Sequence, residues 1–134
     1  MKFYFLLFFA SVSLFSLQIQ VKNKCLDVEV ANTEELRCLG LQNRTKLGKS
    51  KGMLFIFSPP AYASFWMKDT YIDLSIGFFD ENKKLFQIEK MPIYQVKRPL
   101  SFYKSNKPIK YALEVNMEWF EKNGIKVGDV LYFN

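Results

Sequence analysis

Residues 72–89 decide the fold: Ile72-Asp73-Leu74-Ser75-Ile76-Gly77-Phe78, then Asp80-Glu81-Asn82-Lys83, then Leu85-Phe86-Gln87-Ile88-Glu89. Apolar side chains at 72, 74, 76 and 78 alternate with Asp73, Ser75 and Gly77. A period of two marks a strand with one face toward the core. The polar cluster at 80–83 reads as a turn, and 85–89 returns as the hairpin partner.

Upstream, Met53-Leu54-Phe55-Ile56-Phe57 contains nothing polar, which fits a strand buried on both faces. Ser58-Pro59-Pro60 is expected to end it, because proline has no N–H to give to a ladder. Earlier still, Leu26 to Val30 alternates apolar and acidic residues. Asn32-Thr33-Glu34-Glu35 supplies an N-cap and an acidic first turn for a helix to about Leu39, with Gly40 as its stop. Leu41 to Lys51 is polar and basic and reads as a loop. Downstream, Arg98 to Pro108 is irregular. Tyr111 to Val115 is a strand, Met117 to Asn123 a short helix ended by Gly124, and Val130 to Phe133 the last strand. The set of six strands and two short helices predicts a mainly β fold, a compact antiparallel β-sandwich or partly closed barrel.

Composition agrees with that class and narrows the chemistry. Aromatic residues make up 17% of the 134 residues, with 14 Phe, and aromatics favour strands. The net charge is +6, but the lysines are scattered, and no run of five or six occurs. That pattern reads as a solvated basic surface, so no specific nucleic-acid binding is expected. Histidine is absent. No Ser-His-Asp or Cys-His arrangement can be built, and histidine-ligated zinc is excluded. Two cysteines cannot make a four-cysteine site, and no acidic cluster has calcium-loop spacing. No catalytic residue, metal or cofactor is assigned.

Met1-Lys2 followed by the apolar run Phe3 to Leu17 fits a secretory signal peptide. The run is short for a membrane span, which needs roughly 20 residues. Small residues in Ser11-Val12-Ser13 and Leu14-Phe15-Ser16 offer weak cleavage sites. An uncleaved anchor is the alternative, and it would be the chain's only membrane contact. Export predicts a periplasmic or extracellular, secreted protein. In an oxidising compartment Cys25 and Cys38 could form one disulfide. A helix rises about 1.5 Å per residue against about 3.3 Å for a strand, so the helix bearing Cys38 stops short of Cys25, which favours two separate thiols.

With these pieces in place, the chain resembles DUF192 (also UPF0127), a prokaryotic family of unknown function. The matching segments are Val28-Glu29-Val30-Ala31 with Thr33-Glu34-Glu35, Gly40-Leu41 before Arg44, Gly52-Met53-Leu54-Phe55, Phe65-Trp66-Met67-Lys68, Thr70, Tyr111-Ala112-Leu113-Glu114, and Gly124 to Asp129. They run in order over about 26–131. The resemblance implies a mainly β, sandwich-like fold and no established activity. It divides the chain into a signal peptide or anchor over 1–20 and a DUF192-like β domain over 21–134. Four departures stand out. Asp69 replaces the usual Asn of Met-Lys-Asn-Thr. Ser75 stands where an acid is common, Leu100 where a cysteine is usual, and Met117-Glu118 where Ala-Gly is frequent.

The segment Phe65 to Thr70 is the first place to look for a site. If Phe65 to Phe78 were one continuous strand, Trp66, Lys68 and Thr70 would share the core face with Ile72, Leu74 and Ile76. Lys68 would then need an acidic partner, and Glu114 on another strand would serve. Trp66, Lys68, Thr70 and Glu114 would form a pocket for a small anionic ligand. The alternative is a turn near Lys68 that resets the parity and exposes the lysine, with Trp66 and Met67 as ordinary core and Glu114 on a solvated face.

The leading expectation is an exported β domain that binds a small molecule or an envelope protein without catalysis. One alternative is an envelope-associated enzyme using Lys68 with a carboxylate. Another is weak polyanion binding through the basic surface.

Overall fold

The fold is described for residues 15–134 of a computed structural model. In chain order the elements are β1 (Ser16–Val21), β2 (Lys24–Ala31), α1 (Glu34–Leu39), β3 (Lys51–Ala61), β4 (Ser64–Phe65), β5 (Leu74–Phe79), β6 (Leu85–Met91), β7 (Tyr103–Lys104), β8 (Ile109–Asn116), α2 (Trp119–Lys122) and β9 (Leu131–Phe133). Seven strands form one sheet in the order β6-β5-β8-β3-β2-β1-β9, and β4 pairs with β7 in a separate ribbon. The hairpin expected over 72–89 is β5 against β6, with Ile76 opposite Glu89.

The sheet curls into a half-barrel because its two ends meet at one corner. The Leu85 N–H donates to the Asp129 carbonyl at 2.8 Å, Gly128 donates to Leu85 at 2.8 Å, and Leu131 donates to Lys83 at 2.9 Å. One face gathers residues from all seven strands, among them Ile19, Leu26, Leu54, Phe79, Leu85, Leu113 and Leu131, with Phe120 of α2. That common face is the concave core. The opposite face of β3, β5 and β8 carries a second core around Met53, Phe55, Ile76 and Phe78, covered by Leu41, Phe65, Met67 and Ile72. Burial on both faces explains why every residue of β5 is buried, its polar Ser75 included.

Three expectations are corrected. The sheet is not wholly antiparallel, since β2 and β3 run parallel, with Val28 opposite Gly52. A parallel pair needs a crossover of a dozen or more residues, and α1 with the loop to Ser50 supplies it. β3 does not end at Ser58. It continues through both prolines to Ala61, but its register against β8 jumps from Ile56↔Tyr111 to Ala61↔Ile109. The prolines occupy the unpaired bulge between those pairs, so their missing N–H groups cost the ladder nothing. Finally, the sheet begins at Ser16, inside the segment set apart as 1–20. In β1, buried Ile19 and Val21 alternate with Gln18 and Gln20, and the strand pairs with β2 on one side and β9 on the other. The leading apolar run hides that alternation in the sequence. Residues 1–14, which hold most of the segment expected to direct export, lie outside the described residues.

Candidate functional site

Alternation holds from Ala63 through Met67: Ala63, Phe65 and Met67 are buried, while Ser64, Trp66 and Lys68 are exposed. From Thr70 onward the inward positions become Thr70, Ile72 and Leu74. The switch is a turn. The Thr70 N–H donates to the Met67 carbonyl at 3.2 Å, and Asp69 has φ 55. A residue in the left-handed region breaks an extended run, so the chain from Phe65 to Phe78 is not one strand. Lys68 is exposed and lies over the Trp66 ring, 5.5 Å from its centroid. Among the described residues it makes no ion pair with Glu114.

Trp66 is not ordinary core. It is 41% exposed and stacks on Phe102 at 5.8 Å between centroids. The β4–β7 ribbon sets this stack in place. The Ala63 N–H donates to Ser105 Oγ at 3.0 Å, and the Ser105 N–H donates back to the Ala63 carbonyl at 2.9 Å. Phe65 anchors the ribbon to the sheet through edge contacts with Phe55 at 5.0 Å and Phe57 at 6.5 Å.

Between this ribbon and α1 lies a cavity of about 430 Å³. Its walls are aromatic: Phe55, Phe57, Tyr62, Phe65, Trp66 and Phe102. α1 closes one side with Glu34, Arg37 and Cys38. The helix is capped by Thr33, whose Oγ1 accepts from the Leu36 N–H at 3.2 Å, and Gly40 stops it at φ 49 as expected. Arg37 Nη1 donates to the Ile56 carbonyl at 2.8 Å, and the guanidinium lies over Phe57 at 4.9 Å.

Gln42, just after α1, and two buried polar residues from elsewhere in the chain, Thr70 and Glu114, also reach the cavity. Thr70 is buried, its hydroxyl donating to the Lys68 carbonyl at 3.3 Å. Glu114 lies in the middle of β8, between Met53 of β3 and Ile76 of β5. Gly52 lets β3 approach there, since a methyl on it would stand 2.7 Å from the Glu114 carbonyl oxygen. Glu114 is neither on a solvated face nor paired with Lys68. The residue is 5% exposed, its carboxyl opens on the cavity, and among the described residues no ion pair or hydrogen bond from another side chain reaches it. Burial pushes its pKa up to about 8, so it is mainly a neutral acid at pH 7.

Of the four residues singled out from the sequence, Trp66, Thr70 and Glu114 meet at this cavity and Lys68 does not line it. Arg37, Tyr62 and Phe102 were not foreseen. Nothing local marks them, because they join the site only when α1 and the ribbon pack over the sheet. Cys25 and Cys38 are separate, exposed free thiols. No group of three or more metal-ligating side chains occurs among the described residues.

The fold and cavity define a small half-barrel β domain with an aromatic pocket on its outer face. The chain belongs to DUF192, an uncharacterized ACR family whose model matches residues 17–133. Two solved structures share the fold. One is a protein from Sinorhizobium meliloti 1021 described provisionally as a transcription regulator, with TM-score 0.83 and 26% identity, covering 91% of this chain and 96% of that one. The other is a protein of unknown function from Novosphingobium aromaticivorans DSM 12444, with TM-score 0.83 and 28% identity, covering 91% and 88%. No curated protein matches the chain.

Proposed function

We propose that this domain is a binding module that holds a small organic molecule in the aromatic cavity without transforming it. The observation that carries this reading is Glu114, a buried carboxyl with no protein partner among the described residues, at a cavity walled by six aromatic rings. An unpaired polar group in an apolar setting is costly, and a ligand that bonds to it recovers part of that cost. The volume lies in the range of small-molecule sites. Acid–base chemistry by Lys68 and Glu114 acting together finds no support, because Lys68 is outside the cavity lining. The anion expected at Lys68 loses its seat for the same reason.

The test is a set of fragment-sized aromatic molecules, neutral, cationic and anionic, titrated into the full-length chain and into a Trp66→Ala/Phe102→Ala variant. The expected result is saturable binding that the variant loses, with the bound molecule recovered unchanged. Binding untouched by the double substitution, or a chemically altered fragment, overturns the reading.

The regulator description belongs to the Sinorhizobium protein. Carried to this chain it would need an element that reads DNA. Among the described residues the two helices have six and four residues, short of the several turns of a groove-reading helix, so the cavity is the better supported site. We further propose export, on the charge and apolar run of residues 1–17.

A further inference from the structure

We propose that the ligand taken by this cavity is an organic cation, an alkyl- or arylammonium whose positive head meets the Glu114 carboxylate while its apolar part lies against the aromatic walls. This rests on the cavity being a ligand site, and four observations carry it further.

The first is charge. The chain carries a net +6, yet in the cavity lining the one cation, Arg37, is offset by Glu34, and Glu114 adds a negative charge once its proton leaves. The second is that Arg37 is already engaged. Its guanidinium donates to the Ile56 carbonyl and covers Phe57, so it is a wall of the cavity and not a free anion receptor. The third is the ring set. The faces of Trp, Tyr and Phe carry negative potential that draws in a cation; Phe57 and Trp66 already meet one in Arg37 and Lys68, and Phe55, Tyr62, Phe65 and Phe102 line the same cavity. The fourth is Glu114 itself, which lacks a partner among the described residues. In a low-dielectric site an arriving cation favours the ionised carboxyl and pairs with it. An anion would accept one hydrogen bond from the neutral acid and be repelled by the ionised one. A neutral molecule would gain a single hydrogen bond from it.

The proposal sets the pH dependence. The titratable groups lining the cavity are Glu34, Arg37 and Cys38 from α1, Tyr62 ahead of β4, and Glu114. The strand neighbours of Glu114, Met53 and Ile76, do not titrate. Glu114 carries the raised pKa, about 8, so binding of a permanently charged cation must remove its proton below that pH.

The experiment uses the full-length chain and three probes: benzyltrimethylammonium, benzyl alcohol and benzoate, titrated from pH 6 to 9 with tryptophan fluorescence and calorimetry as readouts. Benzyltrimethylammonium is expected to bind tightest. Its affinity should rise about tenfold per pH unit up to the Glu114 pKa and level off above it, following proton linkage. Glu114→Gln, nearly isosteric with the neutral acid, should weaken the cation at least tenfold at pH 9 and leave benzyl alcohol within about twofold. If benzyl alcohol or benzoate matches the cation, or the cation profile is flat with pH, the cation class is wrong and the cavity stands. If none of the three binds the wild-type chain, the cation proposal falls, and the broader fragment set decides whether the cavity binds anything. Should the Gln variant fail to fold, the wild-type pH profile decides alone.

Discussion

The Asn43 N–H donates to the Asp69 carbonyl at 2.7 Å, and beside it the Tyr71 N–H donates to the Arg44 carbonyl at 3.2 Å. These two bonds join the segment after α1 to the turn that follows β4, and so tie together two of the stretches that carry the family resemblance. The Arg44 guanidinium also stands 2.6 Å from the Glu29 carboxylate, an ion pair without hydrogen-bond alignment. The turn therefore has a structural task, which is to reverse inward parity between Met67 and Thr70 and bring Thr70 to the cavity.

That task explains the departure at position 69. Asp69 has φ 55, where Asn and Asp are the non-glycine residues best tolerated. Asp69→Asn is expected to leave stability within about 0.5 kcal/mol, since both residues suit the same backbone. Asp69→Val should cost more than about 1–2 kcal/mol, because a β-branched residue is poorly accommodated there. Urea midpoints for the two variants check this, and equal midpoints would remove the backbone account.

Glu114 makes stability depend on pH in a stated direction. Its folded pKa of about 8 lies above the ordinary 4.5. Between those values the unfolded chain has released the proton and the folded chain still holds it. Stability is therefore full below about pH 4.5, declines as pH rises toward 8 and is flat above, with a total loss of up to about 5 kcal/mol from this group. Glu114→Gln removes the dependence, so the variant should melt higher than wild type at pH 8 and close to it at pH 4.5. Thermal melts across that range decide the matter. A wild-type chain no less stable at pH 8 than the variant would show that Glu114 is not buried as an acid.

α1 forms one wall of the cavity with six residues and no buried side chain, so its cap matters more than its packing. Thr33→Ala removes the hydroxyl that accepts from Leu36 and is expected to cost about 1 kcal/mol. The loss should fall on α1 first. Hydrogen exchange at Arg37 and Gly40, whose N–H groups donate to Thr33 and Leu36, is expected to quicken while that of β5 and β8 holds.

The sequence pattern reveals the fold where structure is local. The alternation at 72–78 and the turn at 80–83 are the β5–β6 hairpin, and Gly40 and Gly124 follow the helices they were expected to stop. What it hides is longer in range. A period of two says that Phe65 and Ile72 both face inward, but not that a left-handed residue reverses the count between them. One acid in an apolar strand reads as outward-facing; here a ribbon and a helix distant in sequence cover that face. Strand direction is hidden as well, because β2 and β3 become parallel only through the path of α1 and its loop. Trp66, Thr70 and Glu114 are candidates from the parity of a single strand over 65–78, a premise the turn at Asp69 overturns, whereas Arg37, Tyr62 and Phe102 become visible only on packing.

The N-terminal segment can be tested against β1. Ser16 lies opposite Glu29, and the Phe15 carbonyl accepts from the Val30 N–H at 2.8 Å. If the segment is a cleaved signal, a cut after Ser13 leaves β1 whole, whereas a cut after Leu17 or beyond removes part of a strand that both β2 and β9 use. Intact-mass measurement of the protein from its native host is expected to place the mature start at or before Ser16. A start at Val21 or later would contradict the role of β1 in the sheet.

The Met117-Glu118 departure has the same physical root as Asp69. Glu118 is the N-cap of α2 with φ 68 and ψ 4, a left-handed residue whose exposed side chain makes no cap hydrogen bond. A glycine at that point avoids the roughly 1–2 kcal/mol that a side chain costs there. Part of the gain is offset by the roughly 0.5–1 kcal/mol of extra freedom glycine has in the unfolded chain. Glu118→Gly is therefore expected to raise stability by about 0.5–1 kcal/mol and move the urea midpoint upward, leaving the cavity on the opposite face unchanged. Glu118→Ala keeps the Cβ and separates the causes. It should give no such gain if the backbone is responsible, and it should match the glycine variant if the relief comes from removing the carboxylate.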